Sequence, residues 1–317
     1  MELLIKITNK CNFKCSFCSA AYIGVDKYND FKDKFYKKLI EINPNYLYID
    51  GGDPLMVDPQ IYWDLIDFIK NNNLKTKAIC FTTNLWDFYE HPNKWIDLFN
   101  HPMIDITTSF QYGNKRISPN GIFTEEDFRK IVKLFKEKVP NKNLGFISVI
   151  DDDNEDTWKK TALLAKELNI EFRLNPVSAV GKSSNYFYPR YKMVKIWIEV
   201  VKMGLGDLEQ NIHAYRLKQC PYNFNCKHTL TCYRWDNGEE KEGSCCIYSE
   251  VSTGNPNFKD KTNLLFKNKC LGCPIFDICS ACAGQRYQIN KFYNQEEKEY
   301  YCNKMLELKD DIEKWLK

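Results

Sequence analysis

Three cysteines near the start of the chain are spaced to bind an iron–sulfur cluster. Cys11, Cys15 and Cys18 form a CxxxCxxC pattern in one short segment that offers no fourth cysteine. Iron–sulfur cubanes usually take four thiolates, so three thiolates leave one iron open to an outside ligand. Catalysis at a metal requires such an open position, whereas a closed ligand shell is structural. A zinc site, or a cluster completed by a distant cysteine, is the alternative interpretation.

A glycine-rich segment is the second candidate for chemistry. Gly51 and Gly52 precede Asp53 and Pro54 where a predicted strand ends. Glycine lets a backbone approach a ligand closely, although a Gly-Gly-Asp-Pro sequence alone predicts only a turn. Polar residues that are candidates for ligand contacts also lie at the ends of three later predicted strands, at Thr83-Asn84, Ser109-Phe110-Gln111 and Asn175-Pro176.

A second group of cysteines lies towards the end of the chain, where ten of the fourteen occur. The cytosol keeps thiols reduced, so these cysteines predict metal ligation rather than disulfides. They supply enough thiolates for two four-thiolate clusters. One alternative is a single cluster with distorted ligation. Another is a zinc ribbon, but its CxxC pairs are usually about 15–20 residues apart, and these pairs are closer. The ten are Cys220, Cys226, Cys232, Cys245, Cys246, Cys270, Cys273, Cys279, Cys282 and Cys302.

Short apolar runs alternate with helical patterns as far as about residue 180. Tyr28, Phe31, Phe35, Leu39 and Ile42 recur at the steps of three and four that one buried helix face requires. Such alternation predicts a parallel sheet with right-handed crossovers. Six strands are too few for an eight-stranded barrel, so we expect an α/β fold with an open, partial (β/α)6 barrel. The predicted strands are residues 3–8, 46–50, 77–82, 104–109, 144–149 and 171–176.

Two further helices of this region have recognisable beginnings. Thr124 is a candidate N-cap, followed by acidic residues and by Phe128, Ile131 and Phe135 at helical spacing. Another helix is predicted over residues 153–168. Cys80 stands in an apolar run and is interpreted as a core residue.

Beyond residue 205 the periodicity is lost, so the sequence predicts two domains, 1–205 and 206–317. A segment with so little regular structure needs another source of stability, and metal ligation supplies it. Asp236-Asn237-Gly238 predicts a hairpin turn. A terminal helix is expected because Met305, Leu308, Ile312 and Trp315 share one face.

Composition excludes several classes of partner. The net charge of +3 is spread along the chain, whereas nucleic-acid binding usually needs a basic stripe. No apolar stretch approaches the roughly 20 residues that cross a bilayer, and the first residues lack signal-peptide features. We therefore expect a cytoplasmic protein that binds neither nucleic acid nor membrane.

The first cysteine pattern, with Phe17 before its last cysteine, resembles the signature of the radical S-adenosylmethionine (SAM) superfamily. The resemblance implies a 4Fe–4S cluster whose open iron is chelated by SAM, and cleavage of SAM to methionine and a 5′-deoxyadenosyl radical. The Gly-Gly-Asp-Pro segment resembles the Gly-Gly-Glu-Pro element that holds the methionyl amino group, with Asp53 one methylene shorter. The implied cofactor contacts are Phe17, Gly51, Gly52, Asp53, Asn84, Ser109 and Asn175.

The second cysteine group resembles the SPASM extension of that superfamily, which carries two auxiliary 4Fe–4S clusters. The resemblance implies three clusters in all and leaves Cys220 without a role. The gap before Cys282 is two residues, where the extension usually has three. The first auxiliary cluster would take Cys226, Cys232, Cys245 or Cys246, and Cys282. The second would take Cys270, Cys273, Cys279 and Cys302.

Resemblance to SPASM proteins also implies a substrate class, because most of them modify peptides or proteins. We therefore predict an enzyme that abstracts a hydrogen atom from a peptide or protein residue, for crosslinking, epimerisation or oxidation. A reductant such as flavodoxin or ferredoxin is expected. The chain begins at its first strand, so any peptide-recognition domain is expected on a separate protein. The aromatic residues predicted to line a substrate mouth include Tyr112, Tyr186, Phe187, Tyr188 and Tyr191.

Two other functions compete with peptide modification. One is the same radical chemistry on a small-molecule metabolite, and the other is a non-catalytic iron–sulfur or zinc protein. Anaerobic sulfatase maturases are similar in cluster layout but place an acidic residue after the central cysteine. Cys246 or Ile247 stands there in this chain, which disfavours that particular activity.

Overall fold

The computed structural model describes residues 2–18, 28–177, 181–183, 185–216, 231–236, 239–243, 267–279 and 283–317. Its centre is a sheet of eight strands in the order β10-β9-β1-β2-β3-β4-β7-β8. The six strands from β1 to β8 in that order are parallel, as predicted. The strands are β1 Glu2–Thr8, β2 Tyr46–Gly51, β3 Ala78–Thr82, β4 Ile104–Ser109, β5 Ile117–Ser118, β6 Gly121–Ile122, β7 Leu144–Ile150, β8 Glu171–Pro176, β9 Thr231–Asp236 and β10 Glu239–Gly243.

Helices connect the parallel strands, which confirms the α/β class. Short 3-10 helices are formed by Pro54–Met56, Glu155–Thr157, Gly181–Ser183 and Cys270–Gly272. The described helices are α1 Tyr28–Ile42, α2 Gln60–Asn71, α3 Trp86–Glu90, α4 Pro92–Asn100, α5 Glu125–Lys138, α6 Trp158–Leu168, α7 Arg190–Lys202, α8 Gln210–Arg216, α9 Phe276–Cys279, α10 Ala283–Phe292, α11 Gln295–Glu307 and α12 Lys309–Trp315.

The core lies between the sheet and these helices. Phe128 of α5 packs on Phe146 of β7 with ring centroids 5.1 Å apart, and the predicted face of α1 is buried. Thr124 caps α5 as predicted, because its side chain accepts a hydrogen bond from the Asp127 N–H. Cys80 is half-buried rather than part of the core. Burial of one face of the sheet fixes the register, so the strand ends carry their loops to one edge.

The hairpin formed by β5 and β6, whose strands are two residues long, was not predicted. Ile117 pairs with Ile122 and Ser118 with Gly121 in the loop between β4 and α5. Strands this short leave no alternating pattern for sequence analysis to detect. The hairpin matters because it lies against the first cysteine segment.

The C-terminal region extends the sheet and packs on α7. Strand β9 pairs in parallel with β1, and β9 and β10 pair antiparallel with Asp236 opposite Glu239, as the predicted hairpin requires. The predicted terminal helix is divided at Leu308 into α11 and α12. The boundary at residue 205 stays a prediction. None of the described helices combines the length and apolarity needed to cross a bilayer.

The prediction that aromatic residues line a substrate mouth is wrong for several of those residues. Phe187 stacks on Phe292 of α10 at 5.8 Å, and Tyr191 packs against Tyr301 of α11 at 5.7 Å. Tyr188 is buried. The aromatic rings here join the C-terminal helices to the sheet domain, because apolar area is removed from water by that contact.

A buried carboxylate closes the free edge of β8. The Leu174 N–H donates to Oε1 of Glu209 at 2.7 Å, and the Ile212 N–H donates to Oε2 at 2.7 Å. Glu209 is fully buried. Burial raises the pKa of Glu209 to about 7, against the lowering effect of these hydrogen bonds. The side chain therefore satisfies backbone groups on this edge of β8, beside the backbone bridge between Phe172 and Glu209.

We expect Glu209→Ala to destabilise the protein by about 1–3 kcal/mol for each backbone amide left without an acceptor. Urea unfolding followed by circular dichroism measures the loss. Glu171→Ala, at the exposed start of β8, is the matched control and should change little. Because the folded pKa of Glu209 is raised, the stability of the parent should fall as pH rises from about 4.5 to 7. An equal loss in both variants, or an unchanged pH slope in Glu209→Ala, contradicts this role.

Candidate functional site

The segment carrying Cys11, Cys15 and Cys18 follows β1 and is held by its backbone on two sides. On one side the Gly52 N–H donates to Thr8 O and the Asp53 N–H to Lys10 O, both at 2.7 Å. On the other side the Lys14 and Ser16 N–H groups donate to the carbonyls of Ile117 and Lys115, at 2.8 and 3.0 Å. The end of β2 and the β5–β6 hairpin together fix the loop.

The two glycines of the Gly-Gly-Asp-Pro segment are required by this backbone contact. Gly51 has φ +142°, and a Cβ there would lie 2.2 Å from the Thr8 carbonyl oxygen. A Cβ on Gly52 would lie 2.1 Å from the Lys10 carbonyl oxygen. Both distances are impossible for a side chain. The glycines therefore allow the cysteine loop itself to approach closely, in addition to the ligand approach that sequence analysis predicted.

Asp53 ties the end of β2 to the end of β3. Its Oδ1 accepts hydrogen bonds from the Leu55 N–H and the Thr83 hydroxyl, both at 2.9 Å, and its Oδ2 accepts from the Asn84 N–H at 2.7 Å. Burial raises the pKa of Asp53, although these hydrogen bonds favour the carboxylate. Both oxygens are therefore engaged within the protein.

Asn84 continues this chain of contacts to the cysteine loop. Its amide donates to Asn12 Oδ1 at 2.7 Å and approaches Cys11 Sγ at 3.8 Å, while its Oδ1 accepts from the Trp86 N–H at 2.8 Å. Asn84 thus positions the first cysteine. Asn175, another predicted cofactor contact, instead bonds Asn211 through its Oδ1 at 3.1 Å.

Arg116 is a functional candidate that sequence analysis missed. It is only 6% exposed and its Nη1 donates to Ser109 Oγ at 2.8 Å. Its guanidinium lies 5.3 Å from the centre of the Phe17 ring. Burial lowers the pKa of Arg116, and the three cysteines oppose that effect. In the described part of the chain its Nε–H has no hydrogen-bond acceptor, so this N–H remains available to a ligand.

The chemistry of the three thiols fits an iron–sulfur cluster. Cys11 is exposed as a residue, yet burial of its sulfur and the nearby Asp53 raise its pKa to about 12. A thiol in this environment needs a cation to become a thiolate. Among the described residues no three candidate ligands converge on a single metal ion. A cubane does not require such convergence, because each thiolate binds a different iron.

A third contact to the loop comes from the residues after β8. The Lys182 N–H donates to the Cys18 carbonyl at 3.1 Å, and its Nζ donates to the Cys15 carbonyl at 3.0 Å. The loop is therefore enclosed by the ends of β2, β3, β4 and β8. No sequence pattern marks Lys182, because its partners lie far away in the chain.

The second cysteine group is described in part. Arg286 donates from Nη1 and Nη2 to Cys302 Sγ at 3.8 and 3.7 Å. The Cys273 N–H donates to the Cys270 carbonyl at 3.1 Å, and the charges of Cys273 and Cys302 act on both Cys270 and Cys279. Cys232 lies on β9, where its backbone pairs with Leu4. Outside the described residues lie Cys220, Cys226, Cys245, Cys246 and Cys282.

Comparison with protein families shows the family of this chain. The Radical SAM superfamily matches residues 5–165, just over half of the chain. The chain belongs to the radical SAM superfamily. The match includes the three thiols, the Gly-Gly-Asp-Pro segment and Arg116, and therefore covers most of the site just described.

Solved structures of radical SAM-like fold extend the similarity over nearly the whole chain. The anSMEcpe structure with bound AdoMet and Cp18Cys peptide has a TM-score of 0.66 at 16% identity, covering 96% of this chain and 99% of that one. Streptococcus suis SuiB bound to S-adenosylmethionine gives 0.59 at 17%, covering 89% and 72%. SuiB bound to precursor peptide SuiA gives 0.58 at 17%, covering 89% and 71%. At these identities the likeness shows the fold. No curated protein matches the chain.

Replacing Gly51 with Ala should displace the cysteine loop, because its Cβ would collide with the Thr8 carbonyl oxygen. We expect the anaerobically reconstituted variant to lose about four irons per chain, one cubane. Gly204→Ala is the matched control, since Gly204 also has positive φ but has open space around its Cβ position. Iron analysis checks the result, and a Gly51→Ala variant with the parent's iron content contradicts the proposed constraint.

Proposed function

We propose that this radical SAM protein reductively cleaves S-adenosylmethionine and directs the 5′-deoxyadenosyl radical to a hydrogen atom on a peptide or protein residue. One observation supports this most directly: three thiols occupy a single loop that has no fourth, beside a buried arginine with an unused N–H. Three thiolates leave one iron for the cofactor. The arginine offers a site for the anionic end of that cofactor.

Cys11, Cys15 and Cys18 would hold the first cluster. When bound, the cluster supplies the electron that breaks a carbon–sulfur bond of S-adenosylmethionine. Formation of each thiolate releases a proton, and the raised pKa of Cys11 makes this release depend on the metal. Phe17 would shield the site from water, because its ring lies under Arg116.

Arg116 would bind the carboxylate of S-adenosylmethionine. A planar guanidinium pairs with carboxylates more strongly than a neutral donor does, and Ser109 orients it through Nη1. Asp53 uses both oxygens on protein groups, so we assign it to holding Gly51 and Gly52 in place. Asn84 would likewise position Cys11.

The C-terminal region would hold two auxiliary clusters of the SPASM type. Two contacts support the second of these: the Cys273 N–H donates to the Cys270 carbonyl at 3.1 Å, and Arg286 donates to Cys302 Sγ at 3.7 Å. Cys279 would be its fourth ligand. Four thiolates would close that cluster, which is consistent with electron transfer rather than substrate activation. The first auxiliary cluster rests on cysteine spacing.

A peptide or protein substrate is supported by structural similarity. The anSMEcpe structure contains the Cp18Cys peptide, and one SuiB structure contains precursor peptide SuiA. The aromatic residues no longer support this class, because Phe187 and Tyr191 pack on the C-terminal helices. A small-molecule substrate is the alternative, and a non-catalytic role is the more distant one.

Replacing Cys11, Cys15 and Cys18 together with Ala should abolish 5′-deoxyadenosine formation after anaerobic reduction, because the electron donor is lost. The variant should keep roughly eight of about twelve irons per chain, the content of two cubanes. Cys80→Ala is the matched control and should retain both activity and iron. Chromatography of the reaction products checks this. Formation of 5′-deoxyadenosine by the triple variant at the parent rate contradicts the proposed reaction.

Co-expression with a short peptide encoded beside the gene tests the substrate class. We expect the peptide's mass to fall by two hydrogens, or one carbon to take up deuterium from labelled solvent. The Cys11, Cys15 and Cys18 triple variant, co-expressed with the same peptide, is the control and should leave the mass unchanged. An unmodified peptide together with turnover of a metabolite from cell extract supports the small-molecule alternative instead.

A further inference from the structure

Arg286 is a buried cation beside thiols proposed as ligands of the second auxiliary cluster. It belongs to α10 and is only 6% exposed. Both terminal nitrogens point to Cys302 Sγ, at 3.8 and 3.7 Å. Cys270 and Cys279 also act on its charge. A guanidinium buried this deeply requires an anionic partner, because desolvation of an unpaired charge is costly.

The described residues supply no carboxylate for that charge. Within the described residues, no Asp or Glu pairs with Arg286, and its Nε–H has no hydrogen-bond acceptor. Among the described residues, the groups that act on its charge are thiols, which carry charge only when deprotonated or bound to metal. The unused Nε–H is a further donor for the sulfur of a bound cluster.

A second buried cation acts on the same site from another element. Arg190, the first residue of α7, is 2% exposed, and its charge influences Cys279. Helix α7 belongs to the part of the chain that supports the parallel sheet, whereas α10 follows the cysteine-rich segment. The two arginines therefore place positive charge on the site from both sides of that junction.

Positive charge near an iron–sulfur cluster favours the reduced form. Four thiolates make the cluster assembly anionic, and one added electron makes it more so. A nearby cation stabilises the reduced cluster more than the oxidised one, because the reduced cluster is more negative. This effect is strong where water is excluded. Hydrogen bonds to ligand sulfurs act in the same direction and are a recognised control of cluster potential.

We propose that Arg286 is a positioning residue for the second auxiliary cluster. The hydrogen bonds from Arg286 to the Cys302 thiolate raise the reduction potential of that cluster. The proposal rests on the proposed function, because it takes Cys270, Cys273, Cys279 and Cys302 as the ligands. Arg286 acts through Cys302 rather than on the substrate. The cluster gains one electron from an external one-electron reductant, and no bond is formed or broken.

Redox titration monitored by electron paramagnetic resonance tests this proposal. The Cys11, Cys15 and Cys18 triple-Ala chain is the background, so that only auxiliary clusters contribute to the signal. We compare Arg286→Met, which removes charge and donors, with Arg286→Lys, which keeps the charge but loses the planar fork. Lys291→Met, an exposed cation on the same helix, is the control.

In Arg286→Met, one of the two auxiliary signals should show at least a tenfold smaller equilibrium constant for reduction. For a one-electron couple this corresponds to a reduction potential lower by about 59 mV. Arg286→Lys should show a smaller shift in the same direction, and Lys291→Met none. Unchanged potentials at full iron content overturn the proposal while leaving the proposed function intact. If Arg286→Met loses iron, the reduction potential of Arg286→Lys is the deciding measurement. A potential in Arg286→Lys equal to that of the parent overturns the proposal. Absence of auxiliary iron in the background chain overturns the proposal together with the auxiliary clusters, whereas loss of 5′-deoxyadenosine formation in the parent chain would overturn the proposed function itself.

Discussion

The contact between two backbone segments, one after β1 and one at the end of β2, is the constraint on which the site depends. The carbonyl oxygens of Thr8 and Lys10 occupy the positions that side chains on Gly51 and Gly52 would need. This contact brings Asp53 to the end of β3, where it bonds backbone and hydroxyl groups. Three adjacent strand ends are thereby joined, and the geometry of the cysteine loop follows from the register of the sheet.

Both cysteine groups are accompanied by a buried arginine that has no carboxylate partner among the described residues. Arg116 comes from a short loop and Arg286 from a helix, so the two arrangements share chemistry rather than local structure. In each, one N–H has no acceptor in the described part of the chain. An anionic metal cluster would supply the negative charge that these two arginines lack among the described residues.

Much of the fold could be predicted because its signals are local. Alternating and helical periodicities identified the six parallel strands, and Thr124 was recognised as a cap because capping depends on neighbouring residues. The first cysteine pattern was found for the same reason. Arg116 and Glu209 were missed because their importance comes from burial beside distant elements. Phe187 was misassigned because an aromatic residue in a sequence does not reveal which surface will cover it.

The segment after β8 has a consequence for synthesis of the protein. Lys182 bonds the Cys15 carbonyl across 167 residues of chain. At translation rates of about 5–20 residues per second, the cysteine loop leaves the ribosome roughly ten seconds or more before that contact can form. Throughout that interval the nascent loop lacks one of its three supports. The loop therefore gains its full set of supports only in the later stages of translation or in the released chain, after the last parallel strand has joined the sheet.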